Sequence, residues 1–136
     1  MKKSKRTKKS NSWKIKQHRD PYFKKSKTLG YRSRASFKLI ELNKKYRFIK
    51  KNSNLLDLGS CPGGWSQVAS KIITNGKILS IDIKDMEPIN NVKFVKADIL
   101  KDDTKKIIIS YFQSKLDIIT SDMAADTTGS RSLDSI

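Results

Sequence analysis

The chain has 136 residues, 36% of them hydrophobic, with 30 Lys and Arg against 13 Asp and Glu and a formal charge of +17. That length suits one domain, since domains run to roughly 100–200 residues. A single cysteine, Cys61, and a single histidine, His18, argue against disulfides, multi-thiolate zinc sites and a Ser-His-Asp triad, so no metal is expected.

The charge is uneven. Residues 1–54 carry 20 Lys and Arg against only Asp20 and Glu41, whereas residues 55–136 carry 10 against 11 acids. A basic front half joined to a near-neutral back half points to a polyanion. Phosphate contacts release counterions and give salt-sensitive, sequence-blind affinity. A lysine-rich tail that only aids solubility is the plain alternative for residues 1–12. No apolar run exceeds four residues, far from the ~18 that span a bilayer, and no apolar segment follows the basic start as in a secretory signal. A soluble, monomeric protein of a reducing compartment, the cytoplasm, is expected, with no membrane partner.

Residues 1–28 are rich in Lys, Ser, Thr and Asn, with Trp13, Tyr22 and Phe23 scattered among them. They read as a flexible basic RNA-binding arm, because they cannot bury enough apolar surface to offset chain entropy. Residues 29–136 read as the folded part. Ala35, Leu39, Leu42 and Tyr46 recur as the stripe of an amphipathic helix, with Ser33 or Ser36 as its cap. Residues 54–58 predict a buried strand, 64–74 a helix packed through Trp65, Val68, Ala69, Ile72 and Ile73, and 77–82 a second strand opened by Asn75-Gly76. A third strand at 92–97, a helix at 102–114 and a fourth strand at 116–121 complete the alternation. Such alternation predicts an α/β fold built on a mainly parallel, doubly wound sheet covered on both faces.

An acid sits at or beside the carboxyl end of each strand: Asp57, Asp82, Asp98 and Asp122. Open α/β sheets bind ligands there, although one such Asp is commonly a cap or turn former. The first strand runs into Asp57-Leu58-Gly59-Ser60-Cys61-Pro62-Gly63-Gly64-Trp65. Glycines at this turn let a ligand lie against the backbone. The spacing is neither G-x-G-x-x-G nor a Walker A loop, which weakens phosphate-binding readings. A cationic ligand with a nucleoside part suits the nearby carboxylates. Asp82 follows Gly59 by 23 residues, near the ~20 expected of an acid that grips ribose hydroxyls. Cys61 reads as a small loop residue and not as a nucleophile.

The strings SRASFKL at 33–39, DLGSCPGGWSQ at 57–67 and SDMA at 121–124 together resemble the FtsJ/RrmJ family of ribosomal RNA large subunit methyltransferase E enzymes, from about Ser12 to Ser130. The resemblance implies a Rossmann-like class I fold dependent on S-adenosylmethionine, and 2′-O-methylation of a uridine ribose in 23S rRNA of the large ribosomal subunit. It implies that Lys38 and Asp122 are catalytic, as the first Lys and the Asp of the family's Lys-Asp-Lys-Glu tetrad. Gly59, Gly63, Gly64, Trp65, Asp82, Asp98 and Asp122 are expected at the cofactor, and Arg32, Arg34 and Lys38 at the RNA.

Family members continue beyond the position matching Ile136, through elements that carry the second Lys, the base, and the Glu. Neither has a counterpart in the sequence, so the chain is expected to be the N-terminal part of the domain, a fragment of a longer product. Its fourth strand is then expected as an open edge beneath a one-sided helix layer, and its activity alone is doubtful. Two other functions compete: a non-catalytic RNA-binding remnant that keeps the cofactor half, and an NAD-dependent oxidoreductase, which the absent dinucleotide glycine pattern disfavours.

Overall fold

The computed structural model describes residues 29–122. Helix α1 spans Ala35–Tyr46, strand β1 Leu55–Leu58, helix α2 Gly64–Ile72 and strand β2 Ile78–Asp82. Strand β3 spans Lys93–Lys96, helix α3 Asp102–Phe112 and strand β4 Ile118–Ser121. The expected elements are all there, trimmed by one or two residues at their ends where pairing or helical bonding stops. The expected arm at 1–28, with His18, Trp13, Tyr22 and Phe23, lies outside the described residues, as does everything after Asp122.

All strand pairs are parallel, in the order β3-β2-β1-β4. Adjacent residues of a strand face opposite sides, and the core divides accordingly. Leu55 and Ile78 pack with Leu39 of α1 and with Val68 and Ala69 of α2. Leu56, Leu79 and Ile81 pack with Phe112 of α3 on the other side. Each fully buried aliphatic side chain contributes about 1.5–3 kcal/mol, so both faces hold the sheet. The one-sided layer expected of this chain is therefore corrected: α3 is long enough to return across the second face. Strand β4 pairs only with β1 among the described residues, and its Ile119 is 60% exposed.

Helix α1 departs from its expected face. Leu42 and Tyr46 are exposed, while Ser36, Phe37 and Leu39 are buried. The reason is the close approach of α2, which admits a serine where a bulky apolar residue would not fit. The N-cap is Arg34, with no side-chain cap hydrogen bond, so neither Ser33 nor Ser36 is the expected cap; Ser33 Oγ accepts the Ala35 N–H at 3.0 Å in the turn before the helix. At the other end Arg47 adopts a left-handed φ of 51° and its N–H closes on the Asn43 carbonyl at 2.7 Å.

Candidate active site

The strand order reverses between β1 and β4, and in such sheets ligands bind at the carboxyl ends beside that switch. The glycine loop leaves β1 at this point. Gly59 has a φ of 65° and Gly63 a φ of 114°, both in the region that favours glycine. The loop's amides turn inward. Gly59 N–H and Ser60 N–H both donate to the Ile81 carbonyl, at 2.8 and 3.2 Å, and Cys61 N–H donates to Asp82 Oδ2 at 2.8 Å. Three successive donors that could cradle a phosphate are thus engaged by β2, and a carboxylate stands where an anion would have to approach.

Asp82, half-buried at the end of β2, also accepts the Lys84 N–H through Oδ1 at 3.0 Å. Asp98 follows β3 and accepts the Leu100 N–H at 2.9 Å, while its carbonyl takes the Thr104 hydroxyl at 2.6 Å. It therefore forms the turn into α3 as well as standing beside Asp82, since Ala97 N–H bonds the Asp82 carbonyl at 3.0 Å. Ile83, next to Asp82 in the chain, is exposed and offers an apolar surface that a reading centred on acids does not reveal.

A small cavity of about 40 Å³ is lined by Gly59, Ser60, Gly64, Trp65 and Asp122. Ser60 Oγ is buried there without a hydrogen-bond partner among the described residues, which leaves a polar atom for a ligand to satisfy. A larger groove of about 530 Å³ adjoins it, lined by Phe37, Lys38, Glu41 and again Asp122. Asp122 and the turn at Ser33–Ala35 line both. Lys38 Nζ lies 4.0 Å from Asp122 Oδ1 with both side chains substantially exposed, and 6.0 Å from the centre of the Trp65 ring. Trp65 is pinned edge-on: its Nε1–H donates to the Ala35 carbonyl at 2.7 Å. The two residues expected to be catalytic thus meet where a loop compartment opens onto a groove.

Asp57 lines the small cavity from below as a buried residue and is not an exposed strand-end acid. It is the third residue of β1, 2% exposed, with Ser66 Oγ donating to it at 2.6 Å and Thr120 Oγ1 at 3.2 Å. Strand parity puts it on the α2 side with Leu55. Burial raises its carboxyl to about 6, against the pull of those two hydroxyls and with a push from Asp122 and Asp82. Cys61 donates its thiol to the Asp85 carbonyl at 3.3 Å.

Arg32 is a clasp. Its guanidinium donates to the carbonyls of Pro62 at 3.1 Å, Glu87 at 2.6 Å and Pro88 at 2.8 Å, and its N–H donates to Gln67 Oε1 at 2.7 Å. It ties the glycine loop to the segment after β2. Arg34, by contrast, lines the groove beside Lys38. Arg32→Ala should destabilise the fold by about 1–3 kcal/mol, and Arg32→Lys should restore little, since an ammonium cannot reproduce the planar fork. Urea unfolding of the three chains checks this. Full recovery with Lys would mean that charge alone matters there.

A parallel 3-2-1-4 sheet with a glycine loop after β1 and acids beyond β2 and β3 is the Rossmann-like arrangement of class I methyltransferases. The model of the FtsJ-like methyltransferase family matches residues 31–136, and the chain belongs to that family. It is 44% identical over 138 residues to the ribosomal RNA large subunit methyltransferase E of Rickettsia canadensis and to that of Rickettsia akari, covering 97% of this chain and 61% of each relative. It is also similar to the crystal structure of a Plasmodium falciparum protein assigned as a ribosomal RNA methyltransferase. That match has 43% identity and a TM-score of 0.65, and covers 76% of this chain and 62% of the other. The chain spans about three fifths of the length of these relatives. Among the described residues no helix is long and apolar enough to cross a membrane.

Proposed function

We propose that this chain carries the cofactor site and half of the catalytic constellation of an S-adenosylmethionine-dependent methyltransferase that modifies a uridine 2′-oxygen in 23S rRNA of the large ribosomal subunit. The observation that supports it most is the acid-rimmed loop whose own amides are engaged by β2. Asp82 and Asp98 would take the cofactor's ribose and adenine ends, and the backbone from Gly59 to Trp65 its amino-acid end, with Ser60 Oγ as an added donor or acceptor. When bound, the cofactor supplies an electrophilic methyl on a sulfonium.

The chain's own residues then have defined tasks. The ribose hydroxyl enters from the groove side, and Lys38 with Asp122 holds it in line, a matter of positioning to within an ångström. The Lys38 ammonium also favours the oxyanion that develops as the proton leaves. Trp65, fixed by Ala35, bounds the compartment and keeps Lys38 on its groove side. The basic residues of 1–54, Arg34 and Lys38 among them, provide the phosphate contacts that bring rRNA to the groove.

The test is transfer of a labelled methyl group from S-adenosylmethionine to purified large ribosomal subunits by the gene product that contains this chain. Incorporation should fall at least 10²-fold with Lys38→Ala or Asp122→Asn. Label appearing in protein and not in RNA, or undiminished transfer by both variants, contradicts the reading.

A further inference from the structure

Asp57 is level with Ser80 of β2 and Thr120 of β4 in the strand registers. Its Oδ2 accepts from Ser66, and Ser66 Oγ is within 2.6 Å of Ser80 Oγ. The result is a buried polar rung across the three central strands and up into the first turn of α2, directly under the glycine loop. Every partner in it is a neutral hydroxyl. The charged groups that face it are acids, Asp82 from the end of β2 and Asp122 from the end of β4. From α2 comes only the Ser66 hydroxyl, and from the loop only Cys61, whose thiol turns to Asp85. Lys38 of α1 meets Asp122, and among the described residues no cation pairs with Asp57.

A buried carboxyl among acids and hydroxyls, beside a ligand compartment, invites a positive ligand. We propose that Asp57 is a proton-linked positioning residue: at mildly acidic pH the cluster holds a proton in the free protein, and it releases that proton when a cationic ligand docks above Asp57, Asp82 and Asp122. This rests on reading the loop as the site of a sulfonium cofactor. Once ionised, Asp57 draws the hydroxyls of Ser66 and Thr120 more strongly. That fixes the first turn of α2 and the strand leading to Asp122.

The sign follows from the charge. A nearby cation favours the ionised carboxylate, so the ligand binds more tightly as pH rises through the titration of Asp57 in the free protein, at about 6, and more weakly below it. If docking requires the ionised form, affinity at pH 5 is about tenfold below that at pH 7.

Calorimetric titration of the full chain with S-adenosylmethionine at pH 5, 6 and 7, in buffers of differing ionisation enthalpy, reads both the affinity and the protons released. The expected result is about a tenfold gain in affinity from pH 5 to pH 7, with net proton release at pH 6 that vanishes in Asp57→Asn. Ser66→Ala keeps the carboxyl but removes a hydrogen bond that favours its ionised form, so the midpoint should move to higher pH. A merely structural role for Ser66 would leave that midpoint in place. Should Asp57→Asn fail to fold, Ser66→Ala still decides the matter. Equal affinity at all three pH values, proton release that persists in Asp57→Asn, or an unmoved midpoint in Ser66→Ala overturns the proposal and leaves the cofactor reading standing. No binding at any pH overturns the cofactor reading itself, and the proposal with it.

Discussion

Gly76→Ala is expected to cost the fold about 3 kcal/mol or more, lowering the melting midpoint by over roughly 10 °C. A Cβ at Gly76 would stand 1.8 Å from the Ser53 carbonyl oxygen and 2.7 Å from its carbon. Both are backbone atoms, so no side-chain rotation relieves the clash. The segment it would strike is held at many points. Thr74 and Asn75 N–H groups bond the Lys51 carbonyl at 3.0 and 2.7 Å, and the Asn54 side chain accepts the Lys77 N–H at 2.9 Å. Moving it apart would unseat the starts of both β1 and β2. Thermal and urea unfolding of the variant check this, and a loss under about 1 kcal/mol would mean that the two turns separate freely.

Gly64→Ala should destabilise by about 2 kcal/mol through the same kind of overpacking, with a consequence for the site. The new Cβ would lie 2.7 Å from Ser36 Oγ and 3.0 Å from Ser33 Cβ, where the first turns of α1 and α2 meet. Pushing α1 away strains the Trp65–Ala35 hydrogen bond and shifts Lys38 relative to Asp122. Ser36 offers a control, because its hydroxyl is fully buried and has no partner among the described residues. Ser36→Ala alone should be neutral or slightly stabilising, since it removes an unsatisfied polar atom. Combined with Gly64→Ala it should recover part of the loss, a coupling of about 1 kcal/mol. Strict additivity of the two changes would show that the helices do not meet through these atoms.

How much of this was legible depended on what each residue had to do. The strands announced themselves as short apolar runs bounded by glycine and asparagine, and the turn after β1 as a glycine cluster. Asp82 and Asp98 stand at the carboxyl ends expected of them, because chain order alone puts them there. The buried face of α1 is not legible from hydropathy, which cannot recognise Ser36 as a core residue. Only the contact with Gly64, far along the chain, makes a small side chain necessary. The same blindness hid the hydroxyls of Ser66, Ser80 and Thr120, which are buried for the sake of one carboxylate. Asp57 looks like a strand-end acid by position alone, although period-two alternation from Leu55 turns it toward α2. Arg32 shows the limit of charge arithmetic. Among so many cations, composition does not say which one faces three carbonyls.

The loop after β1, together with Asp82, is proposed to hold a cationic nucleoside cofactor and not a dinucleotide. Equilibrium titration of the folded chain with S-adenosylmethionine and, separately, with NAD tests it most directly, repeated on Asp82→Ala. The expected result is saturable one-site binding of S-adenosylmethionine, weakened by about 1–3 kcal/mol in Asp82→Ala, and no saturable binding of NAD. Binding of NAD as tight as that of S-adenosylmethionine, or an affinity untouched by the loss of Asp82, would contradict it.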